Sequence, residues 1–333
     1  MSICPDYVRA WESRQRFVVS MARELTARQL TAQVRHAGAK ELAKLSFEHG
    51  NRMDRMHLVA LLHRCGALRL PRPDAEVPPW IQAALRRLSP PTSAREAASM
   101  LWALARSQLP ARVPSAARLA AHSREALPQL LPEANAQELS NVAWALATLT
   151  QPQPSEAPLP PKAATLWARL GQCCAARAEE MTSQHLANVS WAHGTLRLAS
   201  QVWFAAVSQR ILAGGAPVHR WEPRHVANLL WGLARVGLKS EELLAKLEEE
   251  LCESGGVLST FAGRDVAAIL WAYASLEAAR PRLVAAACAE AAKPGRLRGF
   301  SAQDLQNLAW ALAIFRRAGR TRRQRCNSKP PAT

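Results

Sequence analysis

A tryptophan recurs along the chain, and polar side chains stand at fixed distances from it. Successive copies are 42, 47, 40, 40 and 39 residues apart. Arginine or glutamine stands seven residues before the tryptophan, asparagine stands three before it in four copies, and a polar residue stands four after it in most copies. Such side chains make paired hydrogen bonds, and arginine and tryptophan stack on unpaired bases. The tryptophans are Trp102, Trp144, Trp191, Trp231, Trp271 and Trp310. The candidate ligand contacts are Arg95, Arg106, Gln137, Asn141, Gln184, Asn188, Arg224, Asn228, Arg235, Arg264, Gln303 and Asn307.

The tryptophan lies in a repeated segment that predicts a helix, as in Glu138 to Leu149 (ELSNVAWALATL) and His225 to Val236 (HVANLLWGLARV). Apolar residues two and five positions on either side of the tryptophan fall on one helix face, which predicts a buried face. The candidate contacts fall within about 60° of the tryptophan on another face, here termed the polar stripe. A seventh, degenerate copy is predicted at His57 to Leu68, with His63 at the tryptophan position. Helix start signals are predicted at Ser93, Asn135, Thr182 and Ser301.

A second amphipathic segment lies between successive copies, so each repeat of about 40 residues is predicted to be a helix pair. Such pairs bury their apolar faces by stacking, which predicts an all-α fold, a right- or left-twisting α-solenoid. The predicted organisation is an N-terminal helical cap over 1–39, about seven helix pairs over 40–315 and a basic, disordered tail over 316–333. A proline-rich insertion at 151–161 accounts for the longest spacing.

The repeated tryptophan and asparagine each have a structural interpretation as well as a functional one. Tryptophan in a helical repeat packs neighbouring repeats together more often than it forms a platform for bases. We therefore predict that the six tryptophans serve repeat packing. Repeated asparagine can bond a neighbouring repeat or a ligand, and the sequence leaves both open. The residues seven before and four after the tryptophan vary between copies, which favours ligand contact for them.

Motifs of common catalytic and cofactor sites are absent from the sequence. There is no Walker loop, GxGxxG, GxSxG or HExxH motif, and the chain has only five aspartates. The seven cysteines include no CxxC pair, which disfavours a zinc site or a disulfide framework. We predict a protein without catalytic residues, cofactor, metal or small-molecule substrate. Apolar stretches are too short to cross a bilayer, so no membrane partner is expected.

The net charge predicts a polyanionic partner. The chain has 43 lysines and arginines against 26 acidic residues, a formal charge of +17. Seven positive charges lie in the C-terminal segment, which leaves +10 for the rest. A positive surface along a repeat array suits a polyanion, for which nucleic acid is the natural candidate. The alternative is a protein-binding scaffold of the HEAT or armadillo kind. In armadillo repeats tryptophan precedes asparagine by four residues, whereas here asparagine precedes tryptophan by three, which disfavours that alternative.

The segments ELSNVAWALATL, HLANVSWAHGTL and HVANLLWGLARVG resemble the octotricopeptide repeats of organellar RNA-binding proteins, over roughly residues 40 to 315. A weaker resemblance extends to FAST-kinase-like mitochondrial RNA-processing proteins, whose C-terminal RAP domain has no counterpart here. The resemblance implies sequence-specific binding of single-stranded RNA in a mitochondrion or chloroplast, acting in processing, stabilisation or translation. A ribosome or a processing nuclease is a further candidate partner. Asp6, Glu12 and Glu24 are atypical of a transit peptide.

Overall fold

The computed structural model describes residues 25–150, 159–253, 257–278 and 280–327. These residues form fifteen α-helices joined by loops and short 3₁₀ turns, and no strand occurs among them. The all-helical class predicted from the sequence is therefore confirmed. The chain divides into two compact units, Met1–Leu127 and Pro128–Thr333.

Unit 1 contains six helices, of which the last continues across the unit boundary. They are α1 Ala27–His36, α2 Ala39–His49, α3 Arg55–Ala67, α4 Pro79–Arg87, α5 Ala94–Ser107 and α6 Pro114–Leu130. The helix α3 packs against both α1 and α5, and α4 packs against α2 and α3. The odd-numbered helices thus form one layer, and α2 and α4 contact each other beside it.

Unit 2 repeats this arrangement with nine further helices. They are α7 Ala136–Leu149, α8 Pro161–Ala176, α9 Ser183–Thr195, α10 Gln201–Leu212, α11 Pro223–Arg235, α12 Glu241–Glu253, α13 Gly263–Ser275, α14 Pro281–Ala291 and α15 Ala302–Asn327. Each odd-numbered helix packs on the next odd-numbered helix, and α8, α10, α12 and α14 pack on one another in the same order. Every tryptophan-containing segment predicted from the sequence is an odd-numbered helix. The packing within each unit is compatible with a helical solenoid.

Capping side chains fix where several odd-numbered helices begin. Asn135 and Glu138 form a capping box on α7, and Thr182 forms one with His185 on α9. These bonds satisfy backbone amides that have no partner within the helix. Ser93 also caps α5 as predicted, through its hydroxyl.

The apolar face of the odd-numbered helices forms the core. On α11, Val226, Leu229 and Leu233 are each at most 1% exposed. Glycine lets the helix axes approach closely, because a Cβ on Gly194 of α9 would lie 2.8 Å from the Cα of Gly232 on α11. The polar stripe therefore faces away from the core, as the periodicity predicts.

The structure differs from the predicted organisation at both ends. The helix α1 lies within the predicted cap, yet it packs on α3 as the later odd-numbered helices pack on one another, and Thr26 and Gln29 give it a capping box. It is a further repeat helix, with Arg35 at the tryptophan position. We expected a disordered tail from residue 316, but α15 continues to Asn327. Residues 1–24, 151–158 and 328–333 lie outside the described residues, so the acidic residues near the N-terminus and most of the proline-rich insertion do too.

Candidate nucleic-acid interface

The polar stripe reaches solvent on the odd-numbered helices, with a graded exposure. The residues seven before the tryptophan are all exposed; they are Arg95, Gln137, Gln184, Arg224, Arg264 and Gln303. The predicted contacts closer to the tryptophan are partly buried; they are Arg106, Asn141, Asn188, Asn228, Arg235 and Asn307. The structure thus brings the predicted residues of each helix onto one accessible face.

Two pairs of the repeated tryptophan rings contact each other between neighbouring repeats. In unit 2 the rings of Trp191 and Trp231 are stacked, with centroids 6.3 Å apart, and those of Trp271 and Trp310 are 6.4 Å apart. Trp310 is 43% exposed, and the other five tryptophans of the repeat are partly buried. The paired rings therefore contact neighbouring repeats while keeping part of their surface accessible to a ligand.

Two arginines lie over tryptophan rings of their own helix. The guanidinium carbon of Arg106 is 5.8 Å from the centroid of Trp102, and that of Arg235 is 5.5 Å from the centroid of Trp231. This is cation–π geometry. Neither arginine has an acidic partner among the described residues, and the Nε atom of each is buried without a hydrogen-bond partner there. A partly buried cation without a counterion is destabilising, and a bound anion relieves that cost.

A second arginine stands near each of these pairs. Burial lowers the pKa of Arg106 and of Arg235, and the nearby charge of Arg69 or Arg197, respectively, lowers it further. Arg69 and Arg197 both have a φ of 53°. This left-handed conformation ends a helix and favours glycine. Neither residue was predicted from the sequence. Both stand six residues after the tryptophan position, where Gly237 stands in another repeat.

Two other predicted arginines of the stripe have acidic neighbours. Nη2 of Arg224 lies 2.8 Å from Oε2 of Glu222, and Nε of Arg264 lies 3.6 Å from Oδ1 of Asp265. Because a neighbouring carboxylate already offsets part of their charge, these arginines attract a phosphate less strongly than Arg235 does.

One asparagine of the stripe bonds a neighbouring repeat, which is one of the two interpretations left open by the sequence. Nδ2 of Asn188 lies 3.5 Å from Oγ of Ser140 on the preceding odd-numbered helix, which is a long bond between repeats. Gln303 donates to Asn307 on its own helix at 3.0 Å. Ligand contact by Asn141 and Asn228 stays a prediction.

Several arginines hold loops rather than face a ligand. Arg87 donates to the carbonyl oxygens of Gly50 and Met53, each at 2.5 Å. The guanidinium groups of three more arginines likewise bind loop carbonyls; they are Arg112, Arg210 and Arg296. Part of the positive charge counted in the sequence therefore serves the fold.

Neither a cluster of metal-ligating side chains nor a membrane-spanning helix occurs in the described part of the chain. No three His, Cys, Asp or Glu side chains converge there as metal ligands would. None of the helices described combines the length and the apolar character needed to span a bilayer. Comparison with models of protein families and with curated proteins finds no match for the chain.

Proposed function

We propose that the chain is an RNA-binding α-solenoid that holds single-stranded RNA against the polar stripe. Arginines beside the tryptophans contact phosphates, exposed indole surface stacks on bases, and the variable positions distinguish base edges. The action is protection of a transcript or recruitment of a partner, without catalysis. The resemblance to octotricopeptide repeats extends the proposal to a mitochondrion or chloroplast, with a ribosome or a processing nuclease as a partner.

The observation that carries the proposal is the pairing of an arginine with a tryptophan in both units. Arg106 on Trp102 and Arg235 on Trp231 combine a flat aromatic surface with a cation that has no acidic partner among the described residues. A nucleotide offers the complementary groups, a flat base and an anionic phosphate. An internal packing role alone would leave the positive charge of both arginines uncompensated.

The proposal predicts that these two arginines contribute more to RNA affinity than arginines that already have acidic neighbours. Arg106→Ala with Arg235→Ala is expected to weaken binding about 30-fold and to reduce the slope of log affinity against log salt by about two, because each lost phosphate contact lowers it by about one. The matched control is Arg224→Ala with Arg264→Ala, which removes the same formal charge and is expected to have the smaller effect. The probe is an RNA selected from a random single-stranded pool, and the readout is fluorescence anisotropy over a salt series.

Two outcomes count against the proposal. An unchanged salt slope in the Arg106 and Arg235 variant would contradict the assignment of the interface. Salt-labile binding without enrichment of a motif of about seven nucleotides would contradict base reading and favour a scaffold that binds protein.

A further inference from the structure

A cavity of about 570 Å³ lies on the polar-stripe face of unit 1. Its floor is the stripe of α3, where the four stripe positions hold Met56, Ala60, His63 and Ala67. Two of these are alanines, and the usual tryptophan is replaced by a smaller ring. The substitutions that make this repeat look degenerate in sequence are therefore the ones that leave room for a ligand. The volume lies within the range of about 300–1,000 Å³ typical of small-molecule sites.

The cavity carries an excess of positive charge. Arg35 on α1 and Arg95 on α5 line it from the two helices that flank α3, and neither has an acidic partner among the described residues. The one acidic lining residue is Glu96, and its carboxylate accepts hydrogen bonds from Arg55 at 3.0 and 2.8 Å. Those bonds hold the pKa of Glu96 below its usual range, so it stays ionised and its charge is offset by Arg55. An anion is the ligand group that balances the remaining charge.

An aromatic ring borders the same cavity. The imidazole of His63 stacks on Trp102, with centroids 4.8 Å apart and planes 24° apart. Partial burial, with the charges of Arg35 and Arg64, lowers the pKa of His63, so its ring is uncharged at neutral pH. A planar ring placed against His63 extends this stack by one member. Apolar atoms of Met56 and Val59 line the cavity as well.

We propose that this cavity binds a nucleotide through a terminal phosphate monoester, with the base against His63 and the phosphate between Arg35 and Arg95. A monoester carries close to two negative charges at neutral pH, whereas a phosphodiester within a strand carries one. The ligand is a free mononucleotide or the phosphorylated end of an RNA. The second form deepens the proposed function and rests on it.

The first test is calorimetric titration of the full chain with AMP, GMP, CMP and UMP, and with the matching nucleosides. At least one mononucleotide is expected to bind more tightly than its nucleoside. Ala60→Phe fills the cavity from a partly exposed position, and Arg35→Ala removes a cation from an exposed one. Arg35→Ala is expected to weaken binding about tenfold, as the loss of one charge-assisted hydrogen bond would. Ala60→Phe is expected to weaken it at least as much, because the ring occupies the volume of the ligand. Arg118→Ala, an exposed arginine of α6, is the matched control and is expected to bind as the parent does.

The second test separates the two sources of the ligand. One short RNA is compared with a 5′-phosphate, with a 3′-phosphate and with hydroxyl groups at both ends. Tighter binding of a phosphorylated end, lost in Ala60→Phe, supports the RNA end as the ligand. Mononucleotide binding without an end preference supports the free nucleotide.

The inference is overturned if mononucleotides do not bind and RNA ends are not distinguished. It is also overturned if mononucleotide binding and the preference for a phosphorylated RNA end both persist in Ala60→Phe and Arg35→Ala, with circular dichroism that matches the parent. Failure of this inference differs from failure of the proposed function. RNA with hydroxyl ends that binds while mononucleotides do not contradicts only the cavity, and the reverse result contradicts only RNA binding by the stripe.

Discussion

Two pairs of helices pack in the same way, α3 on α5 in unit 1 and α9 on α11 in unit 2. We call this shared arrangement the packing frame. Gly66 on α3 lies against Ala103 on α5, and Gly194 on α9 lies against Gly232 on α11. Both glycines stand three residues after the tryptophan position, and both partners stand one residue after it. The second helix of each pair places an arginine over its tryptophan. Buried positions thus repeat closely between the two units.

The exposed faces of these two helix pairs differ. On α9 the tryptophan position holds Trp191, which stacks on Trp231. On α3 it holds His63, and the alanines beside it leave a cavity. One backbone frame therefore carries either a stacked pair of tryptophans or a pocket, according to a few exposed side chains. Repetition of the core therefore does not require repetition of the exposed surface.

Substitution of the two glycines at the helix contacts is expected to have the largest effect on stability. Gly66→Ala and Gly194→Ala each place a Cβ within 2.7 to 2.8 Å of a backbone Cα on the adjacent helix. Each is expected to lower the free energy of unfolding by about 3 kcal/mol, the upper range for overpacking. Urea unfolding followed by circular dichroism measures it. Gly50→Ala, where a Cβ meets nothing within 4 Å, is the control. A large effect at only one glycine would show that the two frames are not equivalent.

We expect acid to affect the stability of the two units differently, because they hold different residues two positions after the tryptophan position. Unit 2 has His193 there, and burial lowers its pKa to about 4. Unit 1 has Cys65, which is also buried. His193 binds a proton more readily in the unfolded state than in the folded state. The free energy of unfolding that depends on this residue is therefore highest above about pH 6.5 and falls as the pH drops towards 4. This site alone costs roughly 2 kcal/mol between pH 7 and pH 5.

The His193→Cys variant checks this difference. It places the unit 1 residue in unit 2 and is expected to reduce the loss of stability between pH 7 and pH 5, as measured by urea unfolding at both pH values. An unchanged acid response would remove His193 as its source.

The smallest expected effect concerns the tryptophans themselves. Trp231 is partly buried, so Trp231→Ala is expected to lower the free energy of unfolding by about 1 to 2 kcal/mol, less than the 3–5 kcal/mol typical of a fully buried ring. The same change at Trp102 is expected to cost a similar amount, because it also loses one stacked ring and one arginine contact. Thermal unfolding measures both variants, with Trp231→Phe as the control. A Trp231→Ala variant with parental melting but weakened RNA binding would assign the ring to the ligand alone.

Much of the fold could be predicted from the sequence because its signals are local. The tryptophan spacing and the apolar positions around it predict the odd-numbered helices, and the capping residues Asn135 and Thr182 predict where two of them begin. The helix α1 was not predicted as a repeat helix, because Arg35 stands where the other repeats have the tryptophan that identifies them. The helix over residues 316–327 was not predicted, because a run of arginines is also typical of a disordered segment.

The candidate site was only partly predictable. Helical periodicity placed Arg106 and Arg235 on the stripe, since the angle between residues of one helix follows from their separation. Periodicity does not reveal which cations have counterions. Glu222 reduces the charge that Arg224 offers, while Arg235 has no acidic partner among the described residues. Arg197 adds to the site because the chain turns into a left-handed conformation after the helix.

The amino-acid sequence is sufficient to predict the helical repeat, the buried face of each repeat helix and the composition of the opposite face. Each of these depends on the periodicity of a helix and on the transfer of apolar side chains out of water. Tertiary packing, by contrast, sets which rings stack across repeats, which arginines bind loop carbonyls, and that small residues on α3 line a cavity together with Arg35 and Arg95. Those features depend on distances between side chains that lie some 30 to 40 residues apart, and packing of one repeat on the next sets such distances.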